Sequence, residues 1–68
     1  MRIPDSLLMK EEAQKIHKQF QKNKFANAND ENIYEFYADS VAWFRISPQT
    51  IPPKMKEAVE FLMKEGIN

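Results

Sequence analysis

The sequence contains no cysteine, and this absence excludes a disulfide framework. It also argues against a structural zinc site, because the single histidine cannot complete a closed set of four ligands unless several carboxylates join it. We therefore expect no metal ion and no other cofactor. A chain of 68 residues has room for one domain. That domain has to be held together by dense apolar packing or by association with another chain.

The chain also lacks an excess of either charge, since ten basic and ten acidic residues give a formal net charge of zero. This balance argues against a general polyanion-binding protein, although clustered charges can still form local sites. No apolar run is long enough to span a membrane. The first residues, MRIPDSLL, lack the pattern of a secretory signal peptide. We therefore expect a cytoplasmic protein with no membrane partner and no evident small-molecule substrate.

The most apolar stretch is residues 33–46, IYEFYADSVAWFRI, in which five of the fourteen side chains are aromatic. At helical spacing its apolar side chains cover about half of the circumference, and Phe44 lies close to the centre of this arc. A strand would place aromatic and acidic side chains on the same face. The stretch therefore predicts a helix that packs against two neighbours.

Two further apolar stripes predict those neighbours. The first recurs at helical spacing and consists of Met9, Ala13, Ile16 and Phe20. The second follows the linker SPQTIPP and consists of Met55, Ala58, Val59 and Leu62. Pro53 suits the first position of that helix, and Gly66, the only glycine, suits its end. We predict an all-α, compact three-helix domain with helices at about 6–24, 30–46 and 53–65.

The acidic residues and the histidine provide weak candidates for a chemical site. His17 lies at the edge of the first apolar stripe, and without an orienting carboxylate and a nucleophile we interpret it as a boundary residue. Glu31, Glu35 and Asp39 form an acidic ridge at four-residue spacing. Such carboxylates suit a hard cation, but the calcium-loop pattern is absent, and a solvated face or a basic partner explains the ridge better. We expect no enzymatic activity and no metal site.

A basic patch lies on the outer half of the first helix and consists of Lys15, Lys18, Lys22 and Lys24. A nucleic-acid footprint needs such a patch. A solvated helix face accounts for the same lysines, and the acidic segment 30–39 balances their charge. The solvated face is therefore the favoured interpretation, and nucleic acid is the alternative partner.

The segment VAWFRISPQTIPPKM resembles the turn and the start of the recognition helix in helix-turn-helix repressors. The matching residues are Val41, Ala42, Ile46, Ser47, Gln49, Thr50 and Ile51. The resemblance implies a DNA-binding transcriptional regulator built on residues 41–62. The chain departs from that pattern at Arg45, where a small residue is usual, and at Pro52 and Pro53, which fall inside the expected recognition helix. A proline-bounded linker between two helices accounts for the same residues.

Three apolar side chains, Trp43, Ile46 and Phe61, fit the stripes least well. Trp43 lies at the edge of its arc, Ile46 lies on the polar side of the same helix, and Phe61 flanks the third stripe. Scattered exposed apolar residues need no explanation, whereas a contiguous patch marks an interface. Edge-of-core positions and a partner-binding patch are equally good interpretations. The favoured function is a small non-enzymatic interaction module, a regulator or adaptor that binds another protein or a second copy of itself.

Overall fold

The structure, a computed structural model, describes residues 3–22 and 32–66, which form four α-helices and no strand. In chain order these are α1 Asp5–Leu8, α2 Glu11–Gln21, α3 Ile33–Ile46 and α4 Pro53–Lys64. The all-α prediction is confirmed, and the three longer helices correspond to the three predicted ones. Helix α2 ends at Gln21 and α3 begins at Ile33, each three residues inside the predicted bounds of 24 and 30, and residues 23–31 lie outside the described residues.

The prediction of one continuous helix over 6–24 is wrong, because the helix is interrupted at Met9 and Lys10, between α1 and α2. Lys10 has an extended backbone (φ −63°, ψ 145°) and precedes the first turn of α2. At about 100° per residue, a continuous helix would carry Leu7 and Leu8 on the side opposite to Ala13. The break turns both leucines into the core and leaves Met9, expected on the apolar stripe, 72% exposed.

The start of α3 is fixed by a side-chain cap. The Asn32 side-chain oxygen accepts hydrogen bonds from the backbone N–H groups of Tyr34 (2.8 Å) and Glu35 (3.3 Å), which have no partner within the first turn of the helix. The helix ends at Ile46 as predicted, because Pro48 disfavours helical geometry at Ser47. These two signals give α3 its bounds, Ile33–Ile46.

The aromatic part of the core surrounds the N-terminal half of α3. The Phe36 ring packs on Phe20 from α2, with ring centroids 4.6 Å apart, and meets the Tyr37 ring edge-on at 5.1 Å. Phe36 and Tyr37 are fully buried, whereas Phe44 is only half-buried. The prediction that Phe44 marks the centre of the buried arc is therefore wrong. The buried face of α3 is centred closer to its N-terminus, where side chains from α2 reach it.

Helices α2 and α4 run antiparallel, as their polar contacts show. At one end Lys64 Nζ lies 3.4 Å from Glu12 Oε1, and Lys10 pairs with Glu65. At the other end Lys54 Nζ donates to Gln19 Oε1 at 3.0 Å. Exposed pairs of this kind contribute at most about 1 kcal/mol each, so they align the two helices more than they stabilise them.

The C-terminus of α4 ends as the sequence predicts. Gly66 has φ +89°, and its N–H donates to the Met63 carbonyl oxygen at 3.0 Å. Such a left-handed residue closes a helix at low steric cost only when it is glycine. In such a motif the sequence also allows Ile67 to fold back on Leu62, and Ile67 lies outside the described residues.

We expect Phe36→Ala to lower the free energy of unfolding by about 3–5 kcal/mol, the usual range for truncation of a buried phenylalanine. Phe44→Ala should cause a clearly smaller loss, because its ring is only half-buried. Urea denaturation followed by circular dichroism measures both values in parallel. A loss for Phe44→Ala as large as that for Phe36→Ala would contradict the described position of the core.

Candidate interaction surface

An apolar surface lies on the side of α3 that faces away from the core. Ile46 is 84% exposed, the largest value among the large apolar side chains of the described residues, and Trp43 is 38% exposed. Side chains three or four positions apart lie on the same face of a helix. Ile46 therefore neighbours both Trp43 and the exposed Ala42. We call these three residues the α3 patch.

The orientation of Trp43 is set by the turn that follows α3. Its indole Nε1–H donates to Thr50 Oγ1 at 3.3 Å, and the two hydroxyl oxygens of Thr50 and Ser47 are 2.8 Å apart. The backbone N–H of Thr50 also donates to the Ser47 carbonyl oxygen at 3.1 Å. An aromatic side chain fixed in this way loses little conformational freedom when a partner covers it.

The expectation that Phe61 joins Trp43 and Ile46 at a surface is wrong. Phe61 is 3% exposed, and its ring centroid lies 6.1 Å from that of Tyr37. The reason is that α4 packs against both α2 and α3, so its buried face has to be wider than the stripe in the sequence. Phe61 occupies the flank that this second neighbour covers. The partner-binding hypothesis now concerns Trp43 and Ile46 alone.

The charged candidates are spread over separate surfaces. Lys15 and Lys18 are exposed on α2 and Lys22 is exposed directly after it, while Lys24 lies outside the described residues. On α3, Glu35 is exposed and Asp39 is half-buried, while Glu31 lies outside the described residues. The described members of the basic patch and of the acidic ridge thus lie on or beside different helices, and none of them lines an enclosed site. Within the described ranges, no three acidic or histidine side chains are grouped closely enough to hold a metal ion.

His17 lies in the core rather than at its boundary. It is 8% exposed, and its ring centroid lies 5.2 Å from that of Phe36. The sequence placed it beside the apolar stripe, and the wide aromatic face of α3 covers that edge as well. This contact gives His17 a packing role.

An open groove of about 390 Å³ runs between α2 and α4. Ile16 and Phe61 contribute apolar surface to it, and both acidic and basic side chains line it. One of these acids, Glu12, already pairs with Lys64. Small-molecule sites are usually enclosed and mostly apolar, with few polar groups. This groove therefore does not have the form of a ligand pocket.

Tyr37 contains the buried polar group that joins α3 to α2. Its hydroxyl donates to the Ala13 carbonyl oxygen at 2.7 Å, and the residue is fully buried. Burial, and secondarily the negative charge of Glu12, raise the pKa of Tyr37 well above its ordinary value of 10.0. Perturbed groups often mark active sites, but here a satisfied hydrogen bond between two packed helices accounts for the burial.

Comparison with protein-family models, with curated proteins and with solved structures finds no significant match to this chain. Across residues 3–22 and 32–66, no helix combines the length and the apolar character needed to cross a membrane. A function therefore has to be inferred from the surfaces of the molecule itself.

We expect the protein to lose stability above about pH 10 through Tyr37. The folded state binds the Tyr37 proton more tightly than the unfolded state, so this stability is complete below the ordinary pKa of 10.0 and falls as the pH rises through and beyond it. The slope approaches about 1.4 kcal/mol per pH unit. Urea denaturation between pH 8 and 11, run in about half-unit steps, measures it.

The control for this experiment is a pair of variants. Tyr37→Phe should lack this part of the alkaline loss and should lose about 0.5–1.5 kcal/mol at neutral pH with its hydrogen bond. Tyr34→Phe, which removes a 38% exposed tyrosine, should retain the alkaline loss. Identical pH profiles for the wild type and Tyr37→Phe would show that the hydroxyl is not buried as described.

Proposed function

We propose that this chain is a small non-enzymatic protein–protein interaction module, a regulator or adaptor, that self-associates through the α3 patch. The observation that carries the proposal is the exposure of Ile46, 84%, beside a half-exposed tryptophan on the same helix face. Interface hot spots are enriched in tryptophan and cluster around well-packed apolar contacts. The patch has both components.

The size and charge of the chain support self-association. A domain of 68 residues buries a smaller share of its surface than larger domains and has a correspondingly small margin of stability. Binding that is specific to the folded state adds stability by mass action. A net charge of zero removes the long-range repulsion that keeps copies of a charged protein apart. Both properties favour the contact between copies that an exposed apolar face permits.

The test uses Ile46→Glu and sedimentation velocity over a range of protein concentrations. We expect the wild type to form a dimer that Ile46→Glu disrupts without loss of helical circular dichroism, because a buried unpaired carboxylate disfavours the contact. Trp43 is the only tryptophan, so its fluorescence should shift to longer wavelength on dilution of the wild type as the patch becomes exposed.

Met63→Glu is the matched control. Met63 is an apolar side chain on α4 with 55% exposure, outside the α3 patch, and its replacement should leave the dimer intact. A monomeric wild type at high concentration, or equal dimerisation of wild type and Ile46→Glu, would refute the proposed self-association.

The alternative is the DNA-binding regulator implied by the resemblance over residues 41–62. The structure has a helix, a turn and a second helix there, since α3 ends at Ile46 and α4 begins at Pro53. The exposed side of α4, which would read DNA, carries Glu57 and Glu60 as well as Lys56 and Lys64, so it has no excess of positive charge. Carboxylates at that position oppose the phosphate attraction on which DNA affinity depends. The interaction module is therefore the proposal that we favour.

We expect no sequence-specific binding to duplex DNA. Any association should be weak and should fall steeply with salt, because the basic patch of Lys15, Lys18, Lys22 and Lys24 would carry it. An NMR titration with two duplexes of unrelated sequence, at low and at physiological salt, measures both properties. Tight binding at physiological salt that discriminates between the two duplexes would instead support the regulator.

A further inference from the structure

We infer that the partner of the α3 patch is a second copy of the chain, bound about a two-fold axis with Asp39 of each copy paired to Arg45 of the other. This inference depends on the proposed self-association and adds its geometry. The first observation is that Asp39 and Arg45 form no ion pair with any residue that the structure describes. Their charges are available to a partner.

The second observation is the position of these two charges around the patch. Asp39 and Arg45 lie three residues before and three residues after Ala42. At about 100° and 1.5 Å per residue, they lie about 60° to either side of Ala42 and about 4.5 Å below and above it along the helix. The acid and the base therefore occupy opposite ends of one diagonal across the patch.

The line from Ala42 to Ile46 crosses this diagonal. Ile46 is four residues after Ala42, about 40° around the helix toward the side of Asp39, and about 6 Å along the axis. The line from Ala42 to Ile46 thus passes between the acid and the base. Ala42 is small and exposed, so two helices that cross at this residue can approach closely.

A two-fold interface has to be self-complementary, because residue i contacts residue j and residue j contacts residue i. Suppose that a two-fold axis runs along the line from Ala42 to Ile46, in the plane between the two helices. The rotation then places each end of the diagonal from Asp39 to Arg45 opposite its other end in the second copy. Each Asp39 then meets the Arg45 of the other copy, and the two Ile46 side chains meet near the axis. The two α3 helices cross at a steep angle, with one ion pair on each side of the apolar contact.

A second copy fits this surface better than a partner that carries one sign of charge. A basic partner would leave Arg45 opposite a like charge, and an acidic partner would do the same to Asp39, which disfavours either contact. A second copy of the chain matches both charges at once.

The test is a charge exchange between two variants, Asp39→Arg and Arg45→Asp. Each variant alone places like charges opposite each other at both ion pairs, and we expect its dimer dissociation constant to rise at least about tenfold. In an equimolar mixture, the first variant presents only bases and the second only acids. Both pairs are then attractive, so a heterodimer should form with at least the affinity of the wild type. Sedimentation velocity of each variant and of the mixture measures this.

Lys56→Glu is the control, because it reverses an exposed charge on α4 and should not alter the wild-type dimer. Circular dichroism checks that every variant is folded. A dimer that Ile46→Glu disrupts but that neither charge reversal weakens would overturn the two-fold arrangement and leave the proposed self-association standing. Two weakened variants that do not recover on mixing would overturn it as well. A monomeric wild type would refute both proposals together.

Discussion

The hydrogen bond from the Tyr37 hydroxyl to the Ala13 carbonyl oxygen determines how the central helix is placed. A buried hydroxyl without a partner costs several kcal/mol in an apolar environment, so α3 packs stably only where this group reaches an acceptor. The bond is 2.7 Å long and both residues are fully buried. Because Ala13 is small, α2 can approach close enough to provide the acceptor. The bond therefore fixes both the separation of α2 and α3 and the rotation of α3 about its own axis.

This rotation also decides which side of α3 faces outward. Ile46 follows Tyr37 by nine residues, which at about 100° per residue places the two side chains about 180° apart. Because Tyr37 points inward, Ile46 has to point away from α2. Ile46 is then exposed unless another element of the fold covers it. The structure shows Ile46 84% exposed, so the described elements leave it open. The core and the proposed interface are two consequences of one helix orientation.

The sequence predicted the helices from local signals that tertiary packing does not override. Pro53 starts α4, Gly66 closes it with a positive φ, and Pro48 limits α3. The break at Met9 and Lys10 was missed because the apolar spacing continues through it, and only the burial of Leu7 and Leu8 requires the chain to turn. That requirement depends on where the other helices lie, which periodicity alone does not specify.

The candidate surface was predicted in part, for a related reason. A helical wheel places Ile46 opposite the core without reference to any other helix, and its exposure agrees with that placement. The burial of Phe61 depends on how many helices pack against α4, and the apolar stripe of one helix does not show whether it has a second neighbour. The burial of Phe44 depends on how far along α3 the other helices extend. A helical wheel shows the direction of a side chain but not this position along the helix axis.

The α3 patch differs from the exposed Met9 in how its side chains are held. Trp43 is tied to Thr50, and the backbone of α3 is held from the opposite side by the aromatic packing of Phe36 and Tyr37. A site on a rigid helix keeps its geometry better than a site on a loop. Met9, in contrast, lies in the break between α1 and α2 and has no helix of its own to fix it. An exposed apolar residue makes a specific contact more readily where its surroundings hold it in place, and Trp43, held by Thr50 beside Ile46, meets that condition.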